Sequence, residues 1–320
     1  MRIKEKEFNI PEGKRPRVLL IGNGLCRAFG GMDWDGFLDD IKDEHRFPEP
    51  AKNYCMPMPL KAAMLSDGKL AEKMRQQKTM RFDLFSSSNP EQRKAISLLV
   101  NAGFDYILTT NYTYEIECAL LNTDNLTEKK IAKLMSTVGI DHPQTQYFIN
   151  TFNYAGDKPV WHIHGEARKP DSMIIGQYYY GNLLFRYKEY LDKKGKDHAR
   201  LAKGEGVLKV ESWLDAFVFG DVYIAGFGFG FSETDLWWLL EKKLLTEKHG
   251  RTVFFDPISK KNVTSSSRII EEGECKKHLF SIYGVEYKDL EFTVSENEDY
   301  KLFYNKVYDY LIDSGELNLI

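Results

Sequence analysis

The stretch RVLLIGNGLCRAFGG, Arg17 to Gly31, decides the fold class. Arg17–Ile21 is a short run rich in Val, Leu and Ile, stopped by Gly22. An apolar run without polar alternation is the pattern of a strand buried on both faces of a parallel sheet. The turn Gly22-Asn23-Gly24-Leu25 then leads toward a helix. Backbone N–H groups at such a turn can meet a phosphate. The dinucleotide-binding fingerprint has a third glycine where this chain has Arg27. Two readings therefore stand side by side: a diphosphate-binding turn, or a tight strand-to-helix turn.

The same strand pattern recurs at Phe104–Thr110, Val160–His164, Asp221–Ala225 and Thr252–Phe255. Helical segments lie between. Asn89 caps a helix whose first turn holds Pro90, and it stops at Gly103. Thr127 starts another, which ends before Gly139. Ser232 to Asp235 reads as a capping box ahead of DLWWLLEKKLLTEKHG, with Leu236, Leu240 and Leu244 on one face and Gly250 at the end. EDYKLFYNKVYDYLID is the last helix. Strands alternating with helices predict an α/β fold: a Rossmann-like, mostly parallel sheet flanked by helices.

The 320 residues read as one domain, 1–320. About Asp39–Ser88 breaks the pattern, with three prolines in EPAKNYCMPMP and then a basic helix-like run. It is expected to be a helical insertion or lid. Gly181–Gly206, lysine-rich and containing GKDHARLAKGEG, is expected to be a mobile loop.

Net charge is −3, which gives no electrostatic reason for binding nucleic acid or an anionic membrane. The glycine-rich uncharged run VYIAGFGFGF is roughly half a membrane span. The N-terminus has charges but no apolar core, so no secretory signal is read there, and a cytoplasmic protein is expected. Cys26, Cys55, Cys118 and Cys275 contain no CxxC pair, so no structural zinc ribbon is encoded.

Four strand ends carry the candidate chemistry. Besides the Gly22 turn, Thr109, Thr110 and Asn111 lie where the second strand stops. Asn111 offers both a donor and an acceptor, and is either a ligand contact or a helix cap. In WHIHGE, Trp161 to Glu166, strand alternation would point His162 and His164 one way. A His-x-His pair can bind zinc, but no cysteine lies nearby and no HExxH is present, so no metal is expected. His164, at the strand end, suits a general base or a satisfied structural role; His162, one step back, reads as structural. Finally, Gly226 and Gly228 follow the Asp221–Ala225 strand, either to admit a ligand close to the backbone or as a loop under aromatic rings.

Taken in order, these motifs resemble a sirtuin-like domain. GNGL (Gly22–Leu25) resembles the family's GAGxS opening, with Cys26 in the serine's place, and MDWDGFL resembles the helix that follows in bacterial members. TTNY (Thr109–Tyr112) resembles its TQN or TTN motif, and HGE (His164–Glu166) its His-Gly motif. GFGFGFSETD resembles its last motif, with Gly226 and Gly228 in place of the Gly-x-Ser beside the adenosine ribose. The likeness spans roughly Arg17 to Lys243. Thr113 stands where the family often has Asp, and the four-cysteine zinc module of its deacylases is absent, so no zinc is expected.

The resemblance implies NAD as ligand and substrate. It favours bacterial sirtuin-like proteins that hydrolyse NAD to nicotinamide and ADP-ribose in antiphage defence. His164 and Asn111 would be catalytic. Gly22, Asn23, Gly24, Leu25, Thr110, Gly226, Gly228 and Ser232 would bind the dinucleotide. Control by a homo-oligomer or a defence partner protein is expected. The alternatives are a non-catalytic NAD or ADP-ribose binding module of a larger complex, and an NAD-dependent deacylase or ADP-ribosyltransferase.

Overall fold

The computed structural model describes residues 7–27, 36, 57–65, 90–123, 126–137, 149–169, 172–259, 267–292 and 299–313. The strands are β1 (Glu7–Phe8), β2 (Arg17–Ile21), β3 (Tyr106–Thr109), β4 (Met135–Thr137), β5 (Thr151–Ala155), β6 (Lys158–His162), β7 (Leu208–Lys209), β8 (Asp221–Ala225), β9 (Thr252–Ser259) and β10 (Val285–Phe292). The helices are α1 (Gly24–Arg27), α2 (Met58–Leu65), α3 (Pro90–Val100), α4 (Glu115–Leu120), α5 (Glu128–Leu134), α6 (Gln177–Lys193), α7 (Gly195–Ala202), α8 (Trp213–Phe219), α9 (Thr234–Leu244), α10 (Ser267–Ile282) and α11 (Asp299–Asp313).

The main sheet has eight strands in the order β10-β9-β8-β2-β3-β6-β5-β4. From β10 to β6 every neighbour is parallel, whereas β5 and β4 extend the edge antiparallel. Numbered by appearance, the six parallel strands run 3-2-1-4-5-6, the doubly wound Rossmann order. The chain reverses its direction of travel across the sheet between β2 and β8. In open sheets of this kind, ligands bind beyond the strand ends at such a switch point.

Both faces of the sheet are covered, which explains the unbroken apolar runs. Val18, Leu20, Tyr106, Leu108 and Trp161 pack against α6, α8 and α9 through Tyr187, Trp213, Phe217, Leu236 and Leu240. Leu19, Ile21, Ile107 and Val160 face Leu99 of α3 and Phe303, Val307 and Leu311 of α11. β5 reaches β6 through a two-residue turn whose first position, Gly156, has φ 62°. The tight hairpin needs positive φ there, and glycine supplies it without steric cost.

The α/β architecture and the central strands follow the sequence reading, but several boundaries differ. Gly181–Gly206 is not a mobile loop. It holds most of α6 and all of α7, and buries Leu183, Tyr187, Leu191 and Leu201 in the core. Apolar residues at helical spacing outweigh the lysines and glycines, which stay on the outer face. The third predicted strand ends at His162 rather than His164, because the Gly165 N–H bonds back to the His162 carbonyl and closes a turn. The helix read from Ser232 to Gly250 spans only Thr234–Leu244. Glu233 precedes it without a side-chain cap, so the expected capping box is absent, and Leu244 is 39% exposed rather than part of a buried face. At its far end the Thr246 hydroxyl donates to the Lys242 carbonyl, ending the helix before Gly250. Thr127 does cap α5, accepting from the Lys130 N–H. Of the expected insertion at 39–88, Met58–Leu65 is helical and packs against α6, and the remainder lies outside the described residues. Among the described residues no helix is long and apolar enough to cross a membrane.

Candidate functional site

The four motifs sit at the C-terminal ends of four contiguous strands, β8-β2-β3-β6. At the switch point the first and last motifs clasp each other. Gly22 N–H donates to the Ala225 carbonyl (3.3 Å) and Gly24 N–H to the Gly226 carbonyl (2.7 Å). A Cβ on Gly24 would stand 2.6 Å from the Gly226 oxygen, and one on Gly22 would stand 2.7 Å from the Phe227 ring. The close approach these glycines allow is therefore to another backbone segment. Their two N–H groups are engaged within the protein. Gly226, at φ +64°, would press a Cβ on the Tyr304 hydroxyl, but Gly228 has open space around it. Beyond it Phe229 is fully buried against Trp237 and Phe280, at φ 46°, an uncommon conformation for a residue with a side chain.

Thr110 and Asn111 follow β3. Asn111 N–H donates to Thr109 Oγ1, and its side-chain Nδ2 reaches the Gly22 carbonyl at 3.5 Å, which ties this motif to the glycine turn. Ser232 is half-buried in the loop before α9.

Because β6 stops at His162, the two histidines serve different clusters. His164 turns toward α6 and α9. Its Nε2 is 3.0 Å from Asp235 Oδ2, and its ring stands edge-on to Tyr180. Tyr187 donates to the same Asp235 oxygen (3.3 Å), and Tyr180 donates to Glu233 (3.1 Å). His164 is 2% exposed and Asp235 fully buried. Burial opposes charging the His164 ring, but the Asp235 carboxylate and its hydrogen bond outweigh it and raise the pKa. Burial also raises the Glu233 carboxyl, countered by His164 and reinforced by Asp235. His164, Glu233 and Asp235 bring potential ligand atoms within 4.8 Å of one another. His164 and Asp235 bond each other, Tyr187 donates to Asp235 and Tyr180 to Glu233, and we assign no metal to them.

His162 turns toward α4. Its Nδ1 is 2.6 Å from the Asn111 carbonyl and its Nε2 2.8 Å from Glu117 Oε1. Asn153 bridges Glu117 (2.8 Å) and Glu166 (3.2 Å), and Arg168 pairs with Glu166 at 2.8 Å. Burial works against the charged ring, but Glu117, Glu166 and the Asn111 carbonyl push the His162 pKa up to about 9. For Glu166, burial alone would raise the carboxyl, yet His162 and Arg168 hold it below the ordinary value.

Gly165 separates the clusters. At φ +90°, with a Cβ position 2.1 Å from the Ser172 oxygen, only glycine fits. Sequence reading singled out His164, Asn111 and the glycines but missed Asp235, Glu233, Tyr180, Tyr187, Glu117, Asn153 and Arg168. An available signal was the acids within apolar surroundings, in YEIECAL and TDLWWLL, which must find partners once buried. A cavity of about 320 Å³ lies away from these clusters, between α7 and the Val207–Glu211 segment, lined by Lys194, His198, Arg200, Leu208, Glu211 and Asp215 among others. No protein-family model and no curated protein matches this chain in sequence.

Proposed function

We propose that this protein binds NAD across the C-terminal ends of β8, β2, β3 and β6 and hydrolyses its nicotinamide–ribose bond. The observation that carries this reading is the His164–Asp235 pair, Nε2 to Oδ2 at 3.0 Å, beside the switch point of a doubly wound sheet. A base oriented by a buried carboxylate is a general device for proton transfer. With Nε2–H donated to Asp235, the His164 Nδ1 lone pair is the one able to accept a proton. The resemblance to sirtuin-like NAD-consuming proteins supplies the substrate.

In the reaction, water adds to the ribose anomeric carbon as the bond to the nicotinamide nitrogen breaks. The bonding pair leaves with nicotinamide, which becomes neutral, and the water's proton passes to His164, directly or through a ribose hydroxyl. The products are nicotinamide and ADP-ribose. Asn111 would orient the ribose and the water, Gly228 would lie against the adenosine half, and Asn23 and Leu25 would face the diphosphate. Thr110 and Ser232 flank this path.

An unrestrained NAD hydrolase would exhaust its host, so the activity needs control. The near-complete burial of His164 supports an enzyme that opens only on a signal. A second copy or a defence partner protein is the proposed source of that signal, and the cytoplasm, where NAD is abundant, its setting.

The same burial of His164 favours a second reading: a non-catalytic NAD or ADP-ribose binding module. Nicotinamide release by wild type, His164→Ala and Asn111→Ala across protein concentrations tests the first. Hydrolysis predicts release by wild type and a loss of about 10²–10⁴-fold in each variant. Saturable NAD binding without release at any concentration leaves two cases, the binding module and an enzyme still lacking its activating partner, and release on adding that partner separates them.

A further inference from the structure

The His162 cluster is absent from the mechanism just given, yet it touches Asn111. Both ring nitrogens of His162 face groups that accept. The Asn111 carbonyl, 2.6 Å from Nδ1, has no proton to give, so Nδ1 carries one. Glu117 Oε1, 2.8 Å from Nε2, is already the acceptor for Asn153 Nδ2. A neutral imidazole has only one N–H and cannot donate to both oxygens.

Every charged group around the ring fits this state. α4 contributes Glu117 and the buried Glu115, whose carboxyl burial raises toward its neutral form. The loop after β6 contributes Glu166, neutralised by Arg168. β5 contributes Asn153, and Tyr114 stands edge-on to the ring while donating to Glu166 at 3.4 Å. His162 and Arg168 thus lie against Glu117 and Glu166. A buried charge is tolerated when it is paired and hydrogen-bonded in this way.

We propose that His162 is an imidazolium at neutral pH that, braced by Glu117, holds the Asn111 backbone at the end of β3 and so sets the position of the Asn111 side chain. His162 is thus a positioning residue. Its place in catalysis rests on the function proposed above; its charge state and its grip on Asn111 do not.

The test is ¹⁵N NMR of the full-length protein labelled at histidine and asparagine, titrated between pH 6 and 10. The chain has seven histidines, and the signal sought is lost in His162→Gln but kept in His164→Asn. The expected result is two protonated nitrogens at pH 7.5, with deprotonation near 9, and an Asn111 side-chain amide that shifts with the same midpoint. A neutral His162 ring at pH 7.5 overturns the proposal. So does an Asn111 amide indifferent to the ring's titration.

Activity supplies a separate arm. His162→Gln should lower kcat about 10²-fold with little change in KM, the size a small misplacement produces. His162→Lys, which keeps a cation against Glu117, should recover at least part of that loss. Equal damage by both variants, with both folded, would reduce His162 to a structural role. If wild type neither binds nor cleaves NAD, the proposed function falls, and the imidazole titration still decides the charge state.

Discussion

His164 and Asp235 lie 71 residues apart in sequence and meet at 3.0 Å, Nε2 to Oδ2, where β6 and α9 converge. Asp235 raises the His164 pKa against the effect of burial. In Asp235→Asn the opposing burial remains and the attraction is lost, so the pKa falls. The rate of a base-catalysed step climbs as pH rises through the pKa of the base. The acidic limb of the nicotinamide-release profile should therefore move to lower pH in Asp235→Asn, while the plateau drops about 10²–10⁴-fold. An unmoved limb would remove His164 as the titrating base.

The two glycine turns separate fold from function. Gly24→Ala sets a methyl 2.6 Å from the Gly226 carbonyl oxygen, and Gly165→Ala sets one 2.1 Å from the Ser172 oxygen at a φ that disfavours side chains. Both should lower stability by at least about 2–3 kcal/mol. Gly228→Ala meets nothing within 4 Å and should leave the melting temperature within about 2 °C, since an unstrained surface change is nearly neutral. If the adenosine half of NAD lies there, Gly228→Ala weakens NAD binding all the same. Calorimetry read beside NAD titration distinguishes the two effects.

His162 ties stability to alkaline pH. Its folded pKa of about 9 lies above the ordinary 6.5, so the folded state holds the proton more tightly. That contribution is fully present below about pH 6.5 and is lost as pH rises through about 9, roughly 3 kcal/mol in all. Glu166 acts in the opposite sense. Its lowered carboxyl pKa gives stability above the ordinary value that is lost on acidification. Denaturant unfolding from pH 4 to 10 should thus fall off on both sides, and His162→Gln should flatten the stretch between 6.5 and 9. An unaltered alkaline decline in that variant would assign it to another group.

Removing residues 183–205 should abolish folding. The deletion takes Leu183, Tyr187, Leu191 and Leu201 out of the core and the Tyr187 hydroxyl away from Asp235. Each large buried apolar residue lost costs about 2–5 kcal/mol, and their sum exceeds the stability of an ordinary domain. Circular dichroism and size exclusion test this. A folded, monodisperse deletion protein would show α6 and α7 to be dispensable.

The legible part of the fold was the part governed by local pattern. β2, β3, β8 and β9 are apolar runs because both sheet faces are covered, and four of the glycine or polar stops fall at strand ends as expected. β10 escaped notice because VEYKDLEF alternates charged with apolar residues, as an edge strand does. The site was legible only as separate strand ends. SETD has the local form of a cap, and nothing nearby reveals that Asp235 bonds a histidine from another strand. Likewise Ile163-His164 continues the strand pattern, while the turn that divides the histidines depends on Gly165 meeting Ser172.

The position of β2 at the centre of the sheet has a consequence for biosynthesis. Of the sheet's strands it leaves the ribosome first, but its two neighbours are β3 and β8, and Arg17 pairs with Asp221. At usual elongation rates that partner emerges on the order of ten seconds or more after it. Until then RVLLI is an exposed apolar strand with one edge open, and a nascent chain stalled before β8 would be a substrate for chaperones.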